Sequence, residues 1–173
     1  MINLYLSGPM YKSKEECTIW RNEIKEYIKK WENKCISYRV DAQRKIRSEL
    51  GEFGTNFPID FLTKDLVHFN VLDPCDRWFN TREEANANSA WIVKIDKMEV
   101  AKANVLIVNA SDNGWGTPME QYMAYESGKF VIAFCDKEFP SIWAKEHSHV
   151  MVKGHIEAAE WLCNHALDIE RTI

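Results

Sequence analysis

The chain has 173 residues, of which 46% are hydrophobic and 28% charged, with a formal net charge of −4. That is room for one globular core, and no apolar run approaches the roughly 20 residues that span a bilayer. The slight acidity, without a basic stripe, argues against a nucleic-acid polymer as partner, and five scattered cysteines with no CxxC pair argue against a disulfide framework or a zinc site.

Ile2 to Leu6 reads as a strand running into Ser7-Gly8-Pro9, a loop. No basic, apolar leader precedes it, so the expected setting is cytoplasmic with reduced thiols. From Ser13 to about Trp31 the pattern is helical. Ser13 and Glu16 have the spacing of a capping box, and Ile19, Trp20, Ile24, Tyr27, Ile28 and Trp31 form the apolar stripe. Residues 38–66 are mixed and charged, with a helical patch from Ala42 to Leu50, and read as an insertion or covering element within a single domain of residues 1–173. Val67 to Leu72 is a second strand ended by Asp73-Pro74, and Cys75 to Asn88 a polar loop carrying Trp78 and Phe79.

Ser89 to Ala103 is helical with Ile92, Ile95, Val100 and Ala103 inward. Val105 to Val108 is a strand buried on both faces, Pro118 to Ser127 a helix stopped by Gly128, and Phe130 to Phe134 a fourth strand. A short helix, a fifth strand (Val150 to Val152) and an amphipathic helix (His155 to Ile169) close the chain. Short apolar strands alternating with helices predict an α/β fold, a flavodoxin-like or Rossmann-like three-layer sandwich on a five-stranded parallel sheet. A strand order of 2-1-3-4-5 would put the loop after the first strand and the turn after the third in one crevice at the carboxyl edge.

Chemistry concentrates in that turn. Thr117-Pro118-Met119-Glu120 has the residue types of a helix start, with Thr117 as N-cap, Pro118 at N1 and Glu120 closing a capping box. The same geometry would serve a functional carboxylate, because a helix N-terminus favours an anion and Asn113-Gly114-Trp115-Gly116 lets backbone approach a ligand. Tyr5 reads either as a core aromatic or as a hydroxyl beside Glu120. Asp96 sits mid-helix on a face that the pattern leaves open.

Strand-Gly-Pro, then IVKIDKMEVAKANVLIV, then GTPMEQYMAYESGKFVI resembles the nucleoside 2-deoxyribosyltransferases and the related nucleoside 5′-monophosphate N-glycoside hydrolases. The resemblance covers residues 2–10 and 67–152. It implies that Glu120 attacks C1′ of a 2′-deoxynucleoside, that a glycosyl-enzyme forms, and that another nucleobase takes the sugar. Tyr5 would position the nucleophile and Asp96 would bind sugar hydroxyls. Asp76, with Asn80 behind it, is the nearest counterpart of the acid that assists the leaving base. Trp78 and Phe79, by their residue type, either stack on that base or pack under the loop.

Ser7, Gly8, Pro9, Ser111, Gly114, Gly116 and Thr117 would complete the pocket. His149 and Met151 match a segment that family members lend to a neighbouring subunit, which implies a homo-oligomer. No metal and no cofactor is expected, and the partners are a small nucleoside or nucleotide and a nucleobase. Two alternatives stand beside this reading. Ser7, Ser111, Arg77 and Lys12 could hold a 5′-phosphate, opposed by Asp112, in a monophosphate hydrolase. The G-x-G-T-x-x-E turn also resembles the phosphoribohydrolase motif of the cytokinin-activating "lonely guy" group and of ligand-sensing domains, although the Pro-Gly-Gly that precedes it there is missing. That leaves a non-catalytic nucleotide-binding or sensing module.

Overall fold

A computed structural model describes residues 1–10, 13–50, 66–79, 81–111 and 114–172. Five parallel strands, β1 (Ile2–Ser7), β2 (Phe69–Leu72), β3 (Val105–Asn109), β4 (Phe130–Phe134) and β5 (Val150–Val152), form one sheet in the order β2-β1-β3-β4-β5. The helices are α1 (Lys14–Leu50), α2 (Arg82–Ala87), α3 (Ser89–Lys102), α4 (Gly116–Glu126), α5 (Ile142–Glu146) and α6 (His155–Thr172), with a 3₁₀ turn at Pro74–Arg77.

Alternation along each strand sorts the core into two layers. Ile2, Leu4, Leu6, Val105, Ile107, Ile132 and Phe134 face α1 and α6, where they meet Trp20, Ile24, Ala159 and Leu162. Tyr5, Leu106, Val108, Val131 and Ala133 face the opposite way, toward Val100 of α3 and Ala124 of α4. The three-layer sandwich and its strand order are those expected from the sequence. Tyr5 and Ser7, two residues apart, therefore project together onto the α3–α4 side.

Local sequence explains the element boundaries. Ser13 and Glu16 form the expected capping box, Glu16 N donating to Ser13 Oγ and Ser13 N to the Glu16 carboxylate, each at 3.2 Å. Gly128 ends α4 at a φ of 71°. Its N–H donates to Tyr125 O at 3.0 Å, and that of Lys129 to Ala124 O at 2.9 Å, a complete Schellman motif that needs a residue without Cβ penalty.

Three expectations are corrected. The first helix does not stop near Trp31. It continues to Leu50, and its later residues bury no described side chain, so helix propensity without an apolar stripe carries it through the segment read as a separate patch. The rest of the supposed insertion, 51–65, lies outside the described residues. The apolar stripe of α1 is also rotated, for Ile19 is half exposed while Arg21 is fully buried. Finally, the loop after β2 is not irregular, because Asp73 Oδ1 accepts from Cys75 N at 2.9 Å to open the 3₁₀ turn, and Thr81 Oγ1 accepts from Glu84 N at 3.1 Å to open α2.

Candidate active site

The Ser7-Gly8-Pro9 loop at the carboxyl end of β1 is clamped by Arg21. One guanidinium nitrogen donates to Gly8 O at 2.9 Å and another to Cys17 O. Nε lies 3.2 Å from Asp73 Oδ1, an ion pair that lacks hydrogen-bond geometry. The guanidinium also stacks 4.4 Å from the Trp20 ring. Gly8 is required by close approach, since a Cβ there would stand 2.6 Å from Trp20 Cζ2 and 3.2 Å from Asn109 Cβ. Pro9 is buried behind it.

Ser7 is fully buried, and its hydroxyl donates to Glu120 Oε2 at 2.5 Å. The carboxylate of α4 is thus held by the neighbouring strand and not by its own helix. The expected cap is not formed: α4 begins at Gly116, Trp115 at its boundary is already helical (φ −74°, ψ −34°), and no side chain caps it. Thr117 lies inside the first turn and is buried, and Glu120 falls in the second turn. The helix started earlier than its Thr-Pro signal implies because Gly116 and Trp115 both adopt the helical turn.

Burial, and then the nearby Asp96 charge, push the Glu120 carboxyl up from an ordinary 4.5 to about 7, against the lowering effects of Ser7, Tyr5 and Arg21. A carboxylate fully ionised at neutral pH, as expected from the helix terminus, is therefore replaced by one near half ionisation. Glu120 as a residue keeps partial solvent exposure. The Tyr5 hydroxyl is buried without a hydrogen-bond partner, yet lies near enough to Glu120 to favour its ionised form. Burial and the surrounding carboxylates push the phenol itself far upward, so it remains protonated.

Asp96 is half-buried on α3 and turned to the same cluster. Arg77 of the 3₁₀ turn bridges its Oδ1 at 2.6 Å and Glu99 Oε1 at 2.7 Å. Burial raises the Asp96 carboxyl even with that partner. The structure thus gathers Tyr5, Ser7, Asp96 and Glu120, with Arg77 and Glu99 at the margin. Arg77 was read only as a phosphate candidate, and Glu99 was not read at all. Their signal is a basic residue ending the loop after β2 and two carboxylates three apart on α3.

Asp76 leaves the same turn in the other direction. It is exposed, and Lys25 of α1 approaches it at 3.3 Å, in the layer opposite Asp96 and Glu120. Trp78 and Phe79 are half-buried and, with Arg77, Asn88 and Trp91, line a cavity of about 400 Å³ in which Phe79 meets Trp91 edge to face at 6.3 Å. Trp91 is a further residue missed in the sequence, where an aromatic in the first turn of the Asp96 helix was the available sign. Asn80, Lys12 and Asp112 lie outside the described residues.

A second cavity, of about 660 Å³, opens between α4 and α5. Gly114, Thr117, Gln121, Tyr122, Trp143 and His147 are among its walls, and Glu120 is not. Gln121 fixes α5, its Nε2 donating to Ala144 O and Ser148 Oγ at 2.8 Å each. Ser111 Oγ accepts from Asp136 N at 3.1 Å, which ties the β3 and β4 loops together. Gly116 sits beside Glu120, where a Cβ would find ordinary contact 4.0 Å from Oε1. His149 precedes β5 at the amino edge of the sheet. Its Nδ1 accepts from Val131 N at 3.1 Å, and its ring stacks on Phe130. Met151 packs into the α3–α4 side of the core. Within one chain, neither His149 nor Met151 joins the Glu120 cluster.

No family model matches this chain, and no curated protein matches it. Among solved structures it resembles a conserved protein from Enterococcus faecalis V583, at 14% identity over 100% of this chain and 99% of that one, with a TM-score of 0.53. It also resembles a 2-deoxyribosyltransferase from the psychrotolerant bacterium Bacillus psychrosaccharolyticus, at 14% identity over 91% and 90%, with a TM-score of 0.47. At such identity the likeness concerns the fold and not the chemistry.

Proposed function

We propose that the chain cleaves the N-glycosidic bond of a 2′-deoxynucleoside, with Glu120 as nucleophile, and passes the sugar to another nucleobase. The observation that carries this reading is the Glu120 carboxyl at the carboxyl edge of the sheet, held across elements by Ser7, partly exposed and poised near pH 7. One Glu120 oxygen bonds C1′ as the C1′–N bond breaks and its electron pair leaves with the base. An acceptor base then attacks C1′ and displaces the carboxylate, which gives net retention. Asp96 accepts from a sugar hydroxyl, and the Tyr5 hydroxyl beside the carboxyl favours its ionised form.

The nucleoside is favoured over its 5′-monophosphate because Ser7 already gives its proton to Glu120, which removes a donor that a phosphate would need. A non-catalytic sensing module is the reading from another class, and Glu120→Gln separates it. The test is to incubate the protein with 2′-deoxynucleosides and their monophosphates, with and without a second base, and follow base and nucleoside by chromatography. Wild type is expected to form a new nucleoside, and Glu120→Gln to lose on the order of 10⁴-fold or more in rate. Base release from monophosphates alone would replace the transferase by the hydrolase. An unchanged rate in the variant would end the nucleophile's role.

A further inference from the structure

We infer that Arg77 stabilises the departing nucleobase as an anion, from the wall of the open aromatic cavity that it lines with Trp78, Phe79 and Trp91. This rests on the glycosyl-transfer reading and gives the leaving base a partner that Asp76, turned to Lys25, does not supply. Among the described residues, Arg77 is the one shared by the carboxylate cluster and the cavity. It binds Asp96 at 2.6 Å and Glu99 at 2.7 Å, and it lines the cavity of about 400 Å³ with Trp78, Phe79, Asn88 and Trp91. It is also the only charged side chain among the described residues of that wall.

The chemistry of the wall selects the ligand. Three aromatic faces receive a flat ring, and Trp91, 47% exposed on α3, is open enough to be covered by one. A guanidinium has five N–H donors in a plane, of which the two carboxylates engage one each on Nη1 and Nη2. It is an obligate donor, so the matching base presents an acceptor at the edge beside the glycosidic nitrogen, as a pyrimidine 2-carbonyl or a purine ring nitrogen does.

When the C1′–N bond breaks, its electron pair passes into the ring and raises the charge on that acceptor. Arg77 meets the charge without transferring a proton, and the base takes a proton from water as it leaves. Because the carboxylate pair fixes the fork beforehand, no reordering accompanies the reaction, the condition under which such donors are most effective.

The experiment compares 2′-deoxyuridine with 5-fluoro-2′-deoxyuridine, whose base is the better leaving group, in wild type, Arg77→Met and Arg77→Lys. Arg77→Met is expected to lower single-turnover release of uracil by about 100-fold. The loss for 5-fluorouracil should be several-fold smaller, so the ratio between the two substrates widens. Arg77→Lys, which keeps the charge without the fork, should fall between, and it decides the matter alone if Arg77→Met does not fold. Equal losses on both substrates would mean that Arg77 only positions Asp96, and would overturn the inference. Release of neither base by wild type would remove the glycosyl-transfer reading and the Arg77 role together.

Discussion

Glu120 shows how one contact changes what a residue is. Its sequence neighbourhood has the residue types of a capping box, and a cap would spend the carboxylate on its own helix. The hydroxyl of Ser7 draws it across to β1, where burial and Asp96 hold it at about 7. Neighbours set that value, and their removal moves it in opposite directions. Ser7→Ala deletes a bond to the charged form and should shift the rising limb of the pH–rate profile to higher pH. Asp96→Asn deletes a like charge and should shift it to lower pH, alongside any weakening of sugar binding.

The same proton bears on stability. Between the ordinary value of 4.5 and about 7 the folded chain keeps a proton that the unfolded chain has lost, so unfolding becomes easier as pH rises through that window. Glu120→Gln, neutral throughout, should gain on wild type above pH 7 and lose the advantage near pH 4.5. Urea denaturation at both pH values measures it.

At the scale of elements, the strands were readable because strands of a parallel sheet covered on both faces are continuous apolar runs, as Val105 to Val108 is. The stop at Gly128 was readable because a left-handed cap needs that residue. Arg21 was not, since a charge inside an apolar stripe ordinarily marks solvent, and its partners come from two other loops. It joins the β1 loop through Gly8, α1 through Cys17 and the β2 loop through Asp73.

Arg21→Met should therefore strand the Asp73 carboxylate and destabilise the fold by about 3 kcal/mol in denaturant titration, more than a surface arginine would. Lys25, 2.5 Å from the other Asp73 oxygen, limits the damage. The α3 side of the site was half legible. Asp96 could be named from its resemblance to a family aspartate, but its direction depends on Arg77, a partner that helical periodicity does not reveal. In the later part of α1 no described side chain beyond Trp31 is buried, so the core gives no pattern there to read.

At the scale of the whole molecule, the most exposed aromatic and aliphatic side chains include a group on α4, α5 and their borders. Trp115 is 91% exposed, Ile142 80% and Trp143 68%, with Met119 and Tyr122 also open, all from α4, α5 and their borders. A monomer seldom leaves so many aromatic and aliphatic groups in water. We propose that a second copy of the chain covers them, the assembly in which a neighbour would complete the site. Light scattering should find wild type larger than a monomer, and Trp143→Glu should reduce both its mass and its rate of base release. A monomeric wild type with full activity would refute that assembly.

The register of the sheet also dictates an order of events during synthesis. Leu4 and Tyr5 pair with Val71 and Leu72 on one side and with Val105 and Leu106 on the other. That strand therefore cannot be closed on both edges until residues 105–109 have been made. The long helix that follows it can form from local contacts alone. It can shelter the segment Ile2–Ser7 while translation proceeds.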